Sequence, residues 1–232
     1  MAVQFFRQRR AGPELEVEDA VVGQIPDLFR SGDYPLWMGG SLPIGAGRPD
    51  LVVISCEPKV YALAQVAMPT MQILAYLRAV GRARPETISE RLGRPMKDTV
   101  RCLEGLREVE AVRGACDVYF LSPGWRDILP EIVTIEAKVA DWRKAVSQAG
   151  RNRVFAHRSF VALPNLVAER VRREPVLTQL GIGVLSVGQN NEVRIAKQAR
   201  HRRPRVWTYY YQLAHIVASH PKGVPDAVCC VS

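Results

Sequence analysis

The sequence predicts a mixed α/β fold in two parts, with a mostly helical segment set inside an α/β core. Three observations predict it. Short apolar runs rich in β-branched residues, such as Leu51-Val52-Val53-Ile54 and Ile132-Val133-Thr134-Ile135, read as buried strands. Between them, apolar residues recur at helical spacing. The spacing changes character near residue 68 and changes back near residue 125. The expected organisation is therefore a core in two pieces, residues 1–67 and 126–232, with residues 68–125 inserted. An insertion of this kind is tolerated where its two ends lie close together at an exposed loop.

Each element has its own signal. Val17, Val21, Ile25 and Leu28 predict a helix over 14–30, ended by Ser31-Gly32. A strand over 37–44, interrupted by Gly39-Gly40, leads through the turn Gly45-Ala46-Gly47 to a strand over 48–56 and a third over 59–63. Met71, Leu74, Ala75 and Leu77 predict a helix over 69–80. Pro85 opens a short helix that closes at Gly93, and Pro95 begins a longer one with Val100, Leu103, Leu106 and Val109 facing inward. Residues 111–113 and 118–121 read as a hairpin. Strands follow over 132–139, 159–163, 182–187 and 192–196. Helices are expected over 142–155, capped by Asp141, over 166–173 and over 206–219. Trp142, Phe155 and Phe160 are read as core. Of Tyr209, Tyr210 and Tyr211 at least one is expected to be exposed, because three consecutive helical residues cannot share a face.

Composition narrows the partners. The 232-residue chain is 47% hydrophobic with a formal net charge of +9 and a pI of about 9.6. Arginine far outnumbers lysine, which favours bidentate contact with phosphate and a polyanionic partner such as nucleic acid. No apolar run approaches the ~20 residues of a membrane span, and no apolar segment follows the basic residues 1–10. The five cysteines (Cys56, Cys102, Cys116, Cys229, Cys230) form no CxxC pair, and the four histidines have no zinc spacing. A reducing, cytoplasmic location is expected, with Cys229 and Cys230 in a frayed tail.

Two charged islands interrupt the apolar strands: Arg48-Pro49-Asp50, and Glu136-Ala137-Lys138. A carboxylate at a buried strand is costly unless it is paired or binds a metal. The two-residue spacing of Glu136 and Lys138 sends both side chains from one face of a strand. Two carboxylates and an ammonium meeting at one point suit metal-assisted phosphodiester hydrolysis. Lys144, Gln148 and Asn152 follow at i, i+4, i+8 on the next helix. A second basic feature is the acid-free run over 197–205, whose Arg202, Arg203 and Arg205 are candidate phosphate contacts.

The order of helix, strands carrying Pro49-Asp50, strand carrying Glu136-Ala137-Lys138, helix and strand resembles the PD-(D/E)XK nuclease superfamily. That resemblance implies a restriction-endonuclease-like αβββαβ core. It also implies that Asp50 and Glu136, with the Ala137 carbonyl, hold Mg²⁺ or Mn²⁺. Lys138 is then expected to position a water or stabilise developing charge. Gln148 resembles a glutamine that faces the site in several branches, and Glu18 is the candidate extra acid from the first helix, with Glu14 one turn earlier as the alternative. The departure from the family is the gap between the two halves of the signature, which here holds a segment of its own. That segment resembles a winged helix-turn-helix domain. Its exposed candidates for DNA contact are Lys97, Asp98, Thr99 and Arg101, with Arg94 and Arg113 on phosphates. Glu104, Glu108 and Glu110 keep protein interaction open as its role instead. Together the resemblances imply a Mg²⁺-dependent DNA endonuclease that favours duplex, with homodimerisation as the route to a double-strand cut. The alternative is a DNA-binding, regulatory or adaptor protein on a nuclease-like scaffold that does not cut.

Overall fold

The computed structural model describes residues 3–9, 11–30, 33–45 and 47–221. Ser31-Gly32, Ala46, Cys229 and Cys230 lie outside these residues. In chain order the elements are β1 (Gln4–Phe5), α1 (Pro13–Phe29), β2 (Leu36–Gly40) and β3 (Leu51–Ser55). Two 3₁₀ segments (Pro58–Gln65 and Met68–Thr70) lead to α2 (Met71–Val80), β4 (Arg82–Ala83), α3 (Pro85–Leu92), α4 (Met96–Glu108), β5 (Val112–Ala115) and β6 (Val118–Leu121). Then come β7 (Glu131–Ala137), α5 (Trp142–Asn152), β8 (Arg158–Pro164), α6 (Asn165–Val171), α7 (Pro175–Leu180), β9 (Gly183–Val187), β10 (Val193–Lys197) and α8 (Trp207–Ser219). No single helix among the described residues is long and apolar enough to cross a membrane.

The chain is mixed α/β and divides into two compact units. The first takes its described residues from 1–56 and 131–205. Its seven-stranded sheet runs β1-β2-β3-β7-β8-β9-β10. The β7–β8 and β8–β9 pairs are parallel, whereas β2–β3, β3–β7 and β9–β10 are antiparallel. Parallel strands buried on both faces need helices on both sides, and the side chains divide accordingly. Val133, Ile135 and Ala137 of β7 and Phe160 and Ala162 of β8 pack with Val17, Val21, Ile25 and Phe29 of α1. The alternate residues Val161 and Leu163 face Trp142, Ala145 and Ala149 of α5. Gly39 and Gly40 do not interrupt β2. They make room for aromatic rings: a Cβ at Gly39 would lie 2.3 Å from the Trp37 ring, and one at Gly40 would lie 2.2 Å from the Phe5 ring.

The second unit comprises residues 57–130 and 206–221. It holds the antiparallel sheet β4-β6-β5 with α2, α3 and α4, and it also takes α8, which packs on α2 and the first 3₁₀ segment. This corrects the expected boundaries of 68–125: the unit is larger at both ends and recruits the terminal helix from what was read as core. The tie is polar as well as apolar. Tyr210 Oη accepts from the Leu129 amide at 2.8 Å, and Tyr211 Oη donates to the Trp125 carbonyl at 3.0 Å. Both tyrosines are buried, which pushes their hydroxyls above the usual range.

Two element expectations are also corrected, and one element is added. Residues 59–63 are 3₁₀ helix, not strand. Pro58 sits in the first turn, and Val60 and Leu63, both fully buried, eclipse at the three-residue spacing of that helix. In α4 the inward row is Thr99, Leu103 and Leu106, while Val100 is exposed. Thr99 tolerates full burial because its hydroxyl donates to the Pro95 carbonyl at 3.2 Å. The short α7 was not expected. Pro175 opens it and Gly181, in the left-handed region at φ 67°, closes it.

Candidate active site

Strand register brings the two acids together. Leu51 of β3 pairs with Ile135 of β7 in the antiparallel ladder. The same register, carried one residue beyond β3, sets Asp50 opposite Glu136, and opposed residues on an antiparallel pair share a face. Asp50 Oδ2 accepts from the Ala137 amide at 2.9 Å, so the carboxyl is held against the end of β7. Glu136 is 1% exposed. Its Oε1 accepts from Asn152 Nδ2 at 2.6 Å, while its Oε2 is buried with no donor among the described residues.

Lys138 reaches the site differently from the expected alternation. β7 ends at Ala137, so Lys138 stands one residue past the strand. Its ammonium donates to the Ala137 carbonyl at 2.8 Å and to Glu14 Oε2 on α1 at 2.9 Å, and lies 3.8 Å from Asp50 Oδ2. Glu14, the alternative acid, thus takes the lysine. Glu18 lies one turn on, accepting from Arg9 Nε at 3.4 Å, and is close enough to Asp50 to feel its charge.

The electrostatics follow from two acids sharing a dry corner. Burial, followed by the Asp50 charge, pushes the Glu136 carboxyl up to about 8. Asp50 is also raised, by burial first; Lys138 and the Ala137 amide oppose the shift. Glu18 is raised by burial and then by Asp50. Burial works against the Lys138 charge, but Glu14 and Asp50 outweigh it and hold the ammonium above its usual range. A buried carboxyl raised by a neighbouring acid, with one oxygen lacking a donor among the described residues, is poorly satisfied by the protein alone.

Those residues fit a hard divalent cation. Mg²⁺ is bound by one or two carboxylates and keeps several waters, so it does not need an all-protein cage. Asp50 and Glu136 would supply the two. No group of three or more His, Cys, Asp or Glu side chains is arranged for a metal among the described residues, so any further ligands would come from solvent, substrate or backbone. The Ala137 carbonyl, expected as a ligand, already accepts from Lys138.

Asn152 is the functional candidate that the motifs did not single out. Its spacing from Lys144 and Gln148 predicts one shared helix face. Each four-residue step along a helix overshoots a full turn by about 40°, so that row spirals from exposed Lys144 through half-buried Gln148 to fully buried Asn152. The available signal was its place in the apolar row Trp142, Ala145, Ala149, Asn152. Gln148 also has a buried Oε1 without a donor among the described residues. Asp141 caps the helix as expected, accepting from the Lys144 amide at 3.1 Å.

The expected nucleic-acid contacts divide. The loop over 197–205 is anchored: Arg200, Arg202 and Arg205 donate their amides to Gly181, His157 and Val154, and Arg153 Nη1 donates to the Gly181 carbonyl at 2.7 Å. The guanidinium of Arg153 is pushed down by burial and then by Arg202, Arg200 and Arg205, which marks concentrated positive charge. Among the described residues Arg202, Arg203 and Arg205 make no ion pair. In the second unit, Lys97, Arg101 and Arg113 are exposed, and Arg101 is paired with Asp98 at 2.7 Å. Two candidates do not fit. Thr99 is buried. Arg94 is turned inward, donating to the Pro69 carbonyl at 2.6 Å and Gln72 Oε1 at 3.0 Å, because these acceptors lie beside the α3–α4 turn. No protein-family model, curated protein or solved structure matches the chain.

Proposed function

We propose that the protein is a Mg²⁺-dependent DNA endonuclease. In this reading the first unit is a restriction-endonuclease-like core of the PD-(D/E)XK type, and the second is a winged helix. The observation that carries it is the Asp50–Glu136 pair: two buried or part-buried carboxyls, one raised by the charge of the other and keeping a buried oxygen with no donor among the described residues, beside a lysine ammonium. The order α1, β2, β3, β7, α5, β8 supports the core assignment, and α2, β4, α3, α4, β5, β6 supports the winged helix.

The roles follow from the contacts. Asp50 and Glu136 would hold the cation. Asn152 orients Glu136 and leaves its second oxygen available. Lys138, fixed by Glu14 and the Ala137 carbonyl, places positive charge beside Asp50, where it would stabilise charge building on a scissile phosphate. When bound, the cation supplies Lewis acidity, activating water and neutralising the phosphate. The arginines of the 200–205 loop would hold the DNA backbone at a distance from the chemistry.

A cleavage assay on duplex, branched and single-stranded DNA and on RNA, with Mg²⁺ or EDTA, tests this. Mg²⁺-dependent cutting of DNA by the native protein and none by Glu136→Ala is expected. Binding of DNA with no cutting of any substrate would instead support a non-catalytic DNA-binding protein.

A further inference from the structure

We propose that a cleft adjoining the carboxylate site receives a single unpaired nucleobase, so that the substrate is DNA with a base outside its helix. The proposal rests on the nuclease reading. The cleft, about 820 Å³, lies in the first unit and is bordered by Val17 on α1 and by Val139 beyond β7. Glu18 directly follows Val17 and Lys138 directly precedes Val139. Two lining residues are thus chain neighbours of residues of the candidate site. Its size is in the range of pockets that take small organic groups.

The lining selects the class of occupant. Among the described residues no lysine, arginine or histidine borders the cleft, whereas Glu16 and Glu192 do. In a chain of net charge +9 that local balance disfavours a phosphate. The remaining walls are apolar with carboxamides at Asn165, Gln189, Asn190 and Asn191. Apolar surface with amide donors and acceptors is the chemistry that accepts an extruded base, which offers a flat face and a hydrogen-bonding edge.

Two features are built for such an occupant. Leu166 is 87% exposed, the most exposed large hydrophobic side chain among the described residues, and stands at the border of the cleft. An apolar side chain held in this way serves as a wedge between base steps. Asn165 has its carbonyl oxygen engaged by Ser186 Oγ at 2.9 Å and by Arg194 Nη2 at 3.2 Å. Its orientation is thereby fixed with the amide nitrogen left to donate. The opposite border is the tight turn between β9 and β10, closed by Gly188 accepting from Asn191 and donating to Glu192.

The test measures binding in EDTA, apart from cleavage. Three duplexes are compared: fully paired, with one bulged 2-aminopurine, and with an abasic site at the same position. The expected result is at least tenfold tighter binding of the bulged duplex than of the abasic one, with a change in 2-aminopurine fluorescence. Leu166→Ala and Asn190→Ala, both at exposed positions, should each reduce that preference several-fold while leaving affinity for paired duplex unchanged. Equal affinity for bulged and abasic duplexes with unchanged fluorescence overturns the proposal, whether or not Mg²⁺ then supports cleavage. Cleavage on adding Mg²⁺ reports separately on the nuclease reading.

Discussion

Replacing Glu136 by glutamine removes one charge from the candidate site at almost constant shape. Asn152 can still donate to the remaining oxygen, and the new amide can donate toward Asp50. In the native protein the Glu136 carboxyl titrates near 8, against an ordinary value of 4.5. Between those values the folded state holds a proton that the unfolded state has released. The stability of the metal-free protein therefore falls as pH rises through this window and levels off above it. At about 1.4 kcal/mol per pH unit the ceiling is roughly 5 kcal/mol, and solvent relaxation around the ion should reduce the observed loss to roughly 2–3 kcal/mol. Urea unfolding in EDTA at pH 4.5, 6.5 and 8.5 measures it. Glu136→Gln should match the native protein at pH 4.5 and exceed it by a few kcal/mol at pH 8.5. Mg²⁺ at about 100 times its dissociation constant should return about 2.7 kcal/mol to the native protein and little to the variant. Parallel pH profiles for the two proteins would refute the reasoning, because Glu136 would then titrate as an ordinary exposed acid.

The other residues give sharper single outcomes. Lys138→Ala should abolish cleavage while leaving DNA affinity within a few-fold, because the ammonium acts mainly on the transition state; anisotropy titration alongside single-turnover cleavage measures both. Asn152→Ala removes the amide that donates to Glu136, so its cleavage–pH profile should move to higher pH and be partly restored by more Mg²⁺. Alanine at Arg202, Arg203 and Arg205 together should lower the salt-dependence slope of DNA binding by about two to three; an unchanged slope would remove the loop from the DNA path. Arg94→Ala should cost roughly 1–2 kcal/mol of stability, since it frees two acceptors, and leave DNA affinity unchanged in the same titrations.

The sequence was most legible where a local rule acted alone. The acid at Asp50 and the Glu136-Ala137-Lys138 island could be found because charge at the end of an apolar strand demands an explanation, and the structure brings all three residues together. Their approach was only half legible. The cross-strand register that opposes Asp50 to Glu136 is a long-range fact, and the early end of β7, which turns Lys138 toward Glu14, depends on α1. Thr99 and Val100 show a second limit: adjacent residues compete for one inward position, and the winner was a threonine whose back-bond to Pro95 made burial affordable. Val60 and Leu63 fit a strand or a 3₁₀ helix until the partner surface is known. The membership of α8 in the second unit rests on its packing against α2 and the first 3₁₀ segment and on hydroxyl contacts from Tyr210 and Tyr211 to residues more than 80 positions earlier, which no local pattern encodes.

Anomalous diffraction from crystals of the protein grown or soaked with Mn²⁺ would locate the cation directly. An ion within about 2.0–2.3 Å of oxygens from both Asp50 and Glu136, absent from the Glu136→Gln crystal, is the predicted result. A fully occupied Mn²⁺ site elsewhere, with these two carboxyls sharing a proton and no ion between them, would contradict it.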